Sequence, residues 1–327
     1  MNNHLFIVCS PLQLRIVLAI KKRYDGDIFH VVYLKTKVGF KDYIRDVLQR
    51  EFDTYHIANM DYNIINFRRI VSYLNKNIDG NGFVYIANAN DLTVQYLMSQ
   101  LPGSIKLRTF DDGILNINTI LDLNHKLKEK KKLKHILTRL FYKNTYSIRK
   151  IVEQSSLHLT ILDKNRTLNV NAELVKLDVF EHNDAELNTS AHIKRPFVNV
   201  FIGSKFKDIL ANKSIQNLDL LVHKIKKINL DYENAIYLRH PRENSCEVFS
   251  MDEINIDSIS EDYIYELVKQ GNIVNVIGFA STCQLNVMNL PNVNVVLLKT
   301  ELIRDDIIAS FSLFNKKDTI TIYPLDE

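Results

Sequence analysis

With 327 residues, 46% hydrophobic and 24% charged, the chain has enough length and apolar content for two domains of ordinary size, each with its own core. A net charge of +4 is too small for a general polyanion binder, and three scattered cysteines (Cys9, Cys246, Cys283) provide neither a disulfide framework nor a Cys-x-x-Cys metal pair. Only 9 glycines occur, with no G-x-G-x-x-G and no G-x-x-x-x-G-K-[ST]; this argues against dinucleotide and P-loop sites, so phosphate must be held by side chains and helix starts.

Residues 5–9 read as a buried strand, Ser10 as a helix N-cap and Pro11 as the first helical residue, with Leu12, Ile16, Ala19 and Ile20 at helical spacing. The apolar stretch 5–20 is interrupted by Ser10, Pro11, Gln13 and Arg15. It is too short and too polar for a membrane span, and no cleavage site follows, so a cytoplasmic location is expected. A strand at 27–34, a helix at 40–52, a strand at 55–58, a helix at 64–74, a strand at 83–87, a helix at 92–101 and a strand at 105–110 follow. The second half repeats the rhythm, with strands at 197–202, 235–238, 273–277, 293–298 and 319–323 and helices at 215–228, 263–270, 282–289 and 303–311. Alternation of this kind predicts βαβ units and parallel sheets. The expected fold class is α/β: two Rossmann-like domains, 1–180 and 195–327, joined through the polar stretch 181–194 and facing a cleft.

Between the halves, the stretch from Lys126 to Lys150 carries ten Lys/Arg and one acid, Glu129, interleaved with apolar residues. A basic amphipathic insert at about 120–150 can lie on an anionic membrane surface; it can equally be a solvated helix with an ordinary core face. No aromatic platform accompanies it, so nucleic acid is not an expected partner.

Two polar clusters close apolar runs. Asp111-Asp112-Gly113 offers carboxylates able to accept a hydroxyl proton, although Asp-Gly is also a common turn dipeptide. His240-Pro241-Arg242 offers an imidazole and a guanidinium suited to a phosphate, and the proline holds His240 in an extended conformation. Ser281-Thr282 opens a helix after a strand, as an anion site or a plain N-cap, and Gly203-Ser204 is a weaker signal of the same kind. Asp25-Gly26-Asp27 precedes a strand and reads as a turn. No zinc ligand cluster is present, and Cys9 and Cys283 read as packed small residues.

In this order the pieces resemble glycosyltransferase family 52, the bacterial lipooligosaccharide α-2,3-sialyltransferase group. The matching segments are the N-terminal strand, turn and Leu12-Gln13 helix; Val84-Tyr85-Ile86-Ala87; Thr109-Phe110-Asp111-Asp112-Gly113; Phe201-Ile202-Gly203-Ser204; His240-Pro241-Arg242; and Phe279-Ala280-Ser281-Thr282. The resemblance implies a GT-B-like fold, CMP-N-acetylneuraminate as donor, a galactose-terminated lipooligosaccharide or capsular glycan as acceptor, inversion at the anomeric carbon, and neither metal nor cofactor. It implies that His240 assists departure of the CMP phosphate, with Gly203, Ser204, Pro241, Arg242, Ser281 and Thr282 around the donor and Ser10 and Gln13 on the acceptor side.

The sequence departs from the family pattern where better-known members place their base. That position is Phe206 here, and the nearest acid is Asp208. Either Asp208 takes the task or, as the resemblance to other bacterial sialyltransferases sharing the acidic triplet and the His-Pro implies, the base lies in Asp111-Asp112; Asp112 is the first expectation, then Asp111, with Asp208 as a third candidate. Some relatives carry an N-terminal membrane segment; here peripheral contact with the inner membrane face would come from the basic stretch. A homodimer is compatible with the sequence. Two other readings stay open: a glucosyltransferase of the same fold using a UDP-sugar, and a non-catalytic membrane-docking protein.

Overall fold

The computed structural model describes residues 1–35, 41–59, 64–78, 81–89, 91–112, 146–161, 172–177, 179, 196–240, 243, 251–314 and 318–326. The chain forms two compact units, Met1–Val179 and Phe180–Glu327.

The first unit runs β1 (Asn3–Val8), α1 (Pro11–Lys21), β2 (Ile28–Lys35), α2 (Lys41–Glu51), β3 (Thr54–Asn59), α3 (Ile64–Asn77), β4 (Gly82–Ile86), α4 (Leu92–Gln100), β5 (Lys106–Phe110), α5 (Ile148–Gln154), β6 (Leu157–Thr160) and β7 (Glu173–Lys176). Its sheet has the order β3-β2-β1-β4-β5-β6-β7, and every pairing is parallel. Parallel strands covered on both faces read as continuous apolar runs, which is why β1 and β2 were legible in the sequence. Leu5, Ile7, Val32, Leu34, Val84, Ile86 and Leu107 point to the face covered by Ile70 and Leu74 of α3, Val94, Leu97 and Met98 of α4, and Ile151 of α5. The alternate residues His4, Phe6, Phe29 and Tyr85 stack on the other face, where Lys21 of α1 lies 5.6 Å from the Phe29 ring centre.

The second unit runs β8 (Phe197–Ile202), α6 (Phe206–Ile209), α7 (Ile215–Asp231), β9 (Ile236–Leu238), β10 (Asp252–Ile254), α8 (Ser260–Lys269), β11 (Ile273–Gly278), α9 (Thr282–Val287), β12 (Val293–Lys299), α10 (Asp305–Ser310), a 3-10 turn (Phe311–Phe314) and β13 (Ile320–Pro324). Its order, β10-β9-β8-β11-β12-β13, is again fully parallel.

Both sheets are wound alike. The chain moves outward from β1 to β3, returns to β4 beside β1, and moves out the other way; β8, β10 and β11 repeat the pattern. Ligands of such sheets sit beyond the carboxyl ends of the two strands at the reversal. Those ends are Cys9-Ser10 and Ala87-Asn88 in the first unit, and Gly203-Ser204 and Phe279–Ser281 in the second.

Register in the second sheet is pinned by a row of amides. Asn199, Asn275 and Asn294 are direct cross-strand partners on β8, β11 and β12. Asn275 donates to Asn199 at 2.8 Å, Asn294 donates to Asn275 at 2.9 Å, and Asn199 donates to the Glu233 carbonyl at 3.0 Å. A slip by one residue would turn every such side chain to the opposite face. Asn275→Ala removes the middle of the row and strands a donor and an acceptor, so it should cost about 1–2 kcal/mol, read as a lower urea midpoint at unchanged slope.

Candidate active site

Beside the first reversal point, the start of α1, which follows β1, meets the end of β5, the strand next to β4. Ser10 caps α1 by accepting from the Gln13 amide at 3.2 Å, and Pro11 costs no hydrogen bond in the first turn. This turn drives Gln13 inward until it is 2% exposed. The Cys9 N–H donates to Gln13 Oε1 at 2.6 Å, and Gln13 Nε2 donates to Asp112 Oδ1. A main-chain N–H can only donate, so the carboxamide has one permitted orientation, with its nitrogen toward Asp112. Asp112 itself is half-buried just beyond β5. Of the two residues expected on the acceptor side, Ser10 is the cap that places Gln13, and Gln13 is buried with its carboxamide engaged by Cys9 and by the expected base Asp112.

Asp111 does not take the place expected of a proton acceptor. It is 0% exposed, and both carboxylate oxygens are occupied. Oδ1 accepts from His158 Nε2 at 3.0 Å; Oδ2 accepts from the Thr160 hydroxyl at 2.7 Å and the Ile161 N–H at 2.8 Å. His158 Nδ1 in turn hydrogen-bonds Thr109 Oγ1 at 2.9 Å. The cause is strand alternation: consecutive residues leave a strand on opposite sides. Asp112 meets Gln13, while Asp111 enters the interior between β5 and β6 and is structural. His158 and Thr160 were missed in the sequence because a polar-looking Leu-His-Leu-Thr run does not read as a buried strand.

At the second reversal point, Gly203 follows the last residue of β8. A Cβ there would lie 2.6 Å from the His240 main-chain nitrogen, 2.8 Å from the Leu238 carbonyl oxygen and 2.9 Å from the Tyr237 hydroxyl, so only glycine lets β8 close on the end of β9. The Gly203 N–H donates to that Leu238 carbonyl at 2.8 Å. His240 follows β9 and is half-buried, as is Ser204. Beyond β11, Ala280 takes the left-handed conformation at φ 51°, rare for a residue with a side chain and worth about 1 kcal/mol of strain. Ser281 then caps α9: its hydroxyl accepts from the Gln284 N–H at 3.2 Å, and Gln284 Oε1 accepts from the Ser281 N–H at 2.9 Å. Thr282 is the first residue of the helix. Ser281 is thus an N-cap, the ordinary alternative left open by the sequence. Gly113, Pro241 and Arg242 lie outside the described residues.

Asp208 sits in α6, more than half exposed, at 3.1 Å from Lys213 Nζ and 3.5 Å from Lys205 Nζ. The Lys213 hydrogen bond leads in holding its carboxyl below the usual range. A carboxylate so stabilised is a weak proton acceptor. Phe206, the position at which the resemblance would have placed a base, is buried.

Asp25-Gly26-Asp27 is a turn, with Gly26 at φ 78°. Asp27 accepts from the Asn2 N–H at 2.7 Å and from His4 Nε2 at 2.9 Å, and these bonds, the Asn2 N–H first, bring its carboxyl down to about 2. Cys9 and Cys283 are buried, and burial pushes the Cys283 thiol well up. Among the described residues, no group of three His, Cys, Asp or Glu side chains could hold a metal, and no helix is long and apolar enough to cross a membrane. Most of the basic stretch, residues 126–145, and the expected join at 181–194 lie outside the described residues.

The family model of glycosyltransferase family 52 matches residues 27–302. A CMP-N-acetylneuraminate:beta-galactoside alpha-2,3-sialyltransferase of Pasteurella multocida (strain Pm70) is 28% identical over 319 residues, covering 96% of both chains. Solved structures share the fold across both units. The glycotransferase of kitacinnamycin has a TM-score of 0.53 at 8% identity, covering 100% of this chain and 87% of that one. A UDP-glucosyltransferase from Polygonum tinctorium has a TM-score of 0.52 at 8% identity, covering 98% and 85%. The two parallel-sheet domains are therefore of the GT-B kind.

The two aspartates should separate in unfolding experiments. Asp111→Ala leaves the Ile161 N–H, the Thr160 hydroxyl and His158 Nε2 without their acceptor and should cost about 3 kcal/mol or more. Asp112→Asn, which keeps an acceptor oxygen for Gln13, should cost less than about 1 kcal/mol by the same urea measurement.

Proposed function

The chain belongs to glycosyltransferase family 52, and on that premise we propose that it transfers N-acetylneuraminic acid from CMP-N-acetylneuraminate to a galactose-terminated lipooligosaccharide or capsular glycan. The observation that carries this reading is the match to the Pasteurella sialyltransferase, which runs almost from end to end of both chains. The contact between Gln13 and Asp112 at the first reversal point supports the assignment of the base.

In this reading an acceptor hydroxyl attacks the anomeric carbon of the sialyl group while the bond from that carbon to the CMP phosphate oxygen breaks. Attack from the opposite face converts the β-linked donor into an α-sialoside. The hydroxyl becomes acidic only as the new bond forms, and its proton passes to Asp112. Gln13 fixes the direction in which that carboxylate faces. On the donor side His240, as an imidazolium, neutralises the departing phosphate and gives it a proton, and Arg242 adds a guanidinium fork. Gly203, Ser204, Pro241, Ser281 and Thr282 complete the surroundings of the nucleotide. Cationic side chains then provide the charge that a metal supplies elsewhere, so the reaction is read as metal-independent. The basic stretch from Lys126 to Lys150 is read as a peripheral contact with an anionic membrane, holding the enzyme near a lipid-linked acceptor.

Incubated with lactose, the protein should release CMP from CMP-N-acetylneuraminate, with EDTA having no effect; release of UDP from UDP-glucose instead would replace this reading with glucosyl transfer. Asp112→Asn and His240→Ala should each lower transfer by roughly 10²–10⁴-fold, while Asp208→Asn should stay near the wild-type rate. In a separate experiment, binding to vesicles containing anionic lipid should weaken steeply with added salt; binding indifferent to salt would rule out the basic stretch as the anchor.

A further inference from the structure

The end of β9 holds a carboxyl group that the mechanism above leaves unused. Tyr237, 3% exposed within β9, donates from its hydroxyl to Glu243 Oε2 at 2.5 Å. The main-chain N–H of Glu243 donates to the His240 carbonyl at 2.9 Å. One residue therefore grips the strand through its side chain and His240 through its backbone. That second bond ties Glu243 directly to the residue that carries the imidazole.

The surroundings leave little freedom. The Tyr237 ring packs against Phe201 on the neighbouring strand, with centroids 5.9 Å apart, and its hydroxyl borders the space that Gly203 leaves open. Arg239 donates to Glu253 at 2.6 Å and its charge also acts on Glu243, whose side-chain hydrogen bond comes from the tyrosine. Glu243 Oε1 is buried and finds no hydrogen-bond partner among the described residues. Burial accordingly pushes the Glu243 carboxyl above the ordinary glutamate range, and burial followed by the Glu243 contact pushes the Tyr237 hydroxyl well up.

We propose that Glu243, anchored by Tyr237, is a positioning residue for His240: the pair fixes the exit of β9 so that the imidazole meets the donor phosphate in one orientation. This rests on the reading of His240 as the group that assists the leaving phosphate. Neither side chain needs to touch substrate. A displacement of about 1 Å in a reacting group can cost on the order of 10²-fold in rate, so a single tether beside His240 is enough to matter.

Tyr237→Phe deletes one oxygen and keeps the ring packing, so the fold should survive. It should lower kcat for sialyl transfer about tenfold while KM for CMP-N-acetylneuraminate stays within about twofold. Glu243→Leu should behave alike, and Glu243→Gln, which retains an acceptor for the tyrosine and the same backbone N–H, should recover most of the rate. The double variant Tyr237→Phe/Glu243→Leu should be no slower than the worse single variant, as for groups acting as one unit. A second readout is independent of turnover: the His240 imidazole resonances, assigned by their loss in His240→Ala, should shift in Tyr237→Phe. If the wild type transfers sialic acid and both Tyr237→Phe and Glu243→Leu match it, the positioning role is overturned and the functional reading stands. Loss confined to KM, or Glu243→Gln as slow as Glu243→Leu, overturns it as well. If the wild type releases no CMP, the functional reading fails, and unchanged His240 resonances in Tyr237→Phe would then dispose of the tether too.

Discussion

A carboxylate shut away from water must have its oxygens filled by the protein, and Asp111 meets that demand from a single neighbouring segment. His158, Thr160 and the Ile161 N–H all belong to β6 or its exit. These bonds tie the end of β5 to the end of β6, where the ladder itself runs out. They also decide what Asp112 can do, because anchoring one aspartate inward obliges the next to emerge on the other side of the strand. Gln13 then meets Asp112 from α1, linking residues 99 positions apart. The candidate base is the visible end of a chain of constraints that begins in the interior.

The second unit reaches a comparable result with main chain rather than buried charge. Gly203 surrenders its side-chain volume so that β8 can press on the β9 exit, and Ala280 accepts an unfavourable backbone conformation so that Ser281 can start α9. In a chain with only 9 glycines, one placed where a Cβ would strike three atoms is informative. Nucleotide sites rich in glycine let the backbone approach phosphate; in the proposed function that task passes to hydroxyls, an imidazole and a guanidinium.

The alternation of apolar runs with helical periodicity made most of the fold legible: ten strands and the principal helices were found, since β1, β2, β4, β8, β11 and β12 bury both faces. The strands that escaped explain themselves. β7, Glu-Leu-Val-Lys, and β10, Asp-Glu-Ile, are short outer strands whose polar residues face solvent. β6 carries His158 and Thr160, whose polarity serves Asp111. The site was half legible. Position at a strand end singled out Asp111-Asp112 and His240, but adjacent aspartates look identical until the strand direction assigns one to the core. The partnership of Gln13 with Asp112, and that of Tyr237 with Glu243, depend on the folding of separate segments and leave no local pattern.

Gln13 carries a consequence of its own. Its oxygen and its nitrogen are committed to opposite neighbours, a backbone donor and a carboxylate acceptor, so the side chain behaves as a polarised connector that works in one direction only. Glutamate has the same shape but would set one negative group against another, and leucine would fill the volume while leaving both neighbours unserved. The position is thereby constrained by electrical sense as well as by size, and a swap that looks isosteric would be felt in the direction Asp112 faces.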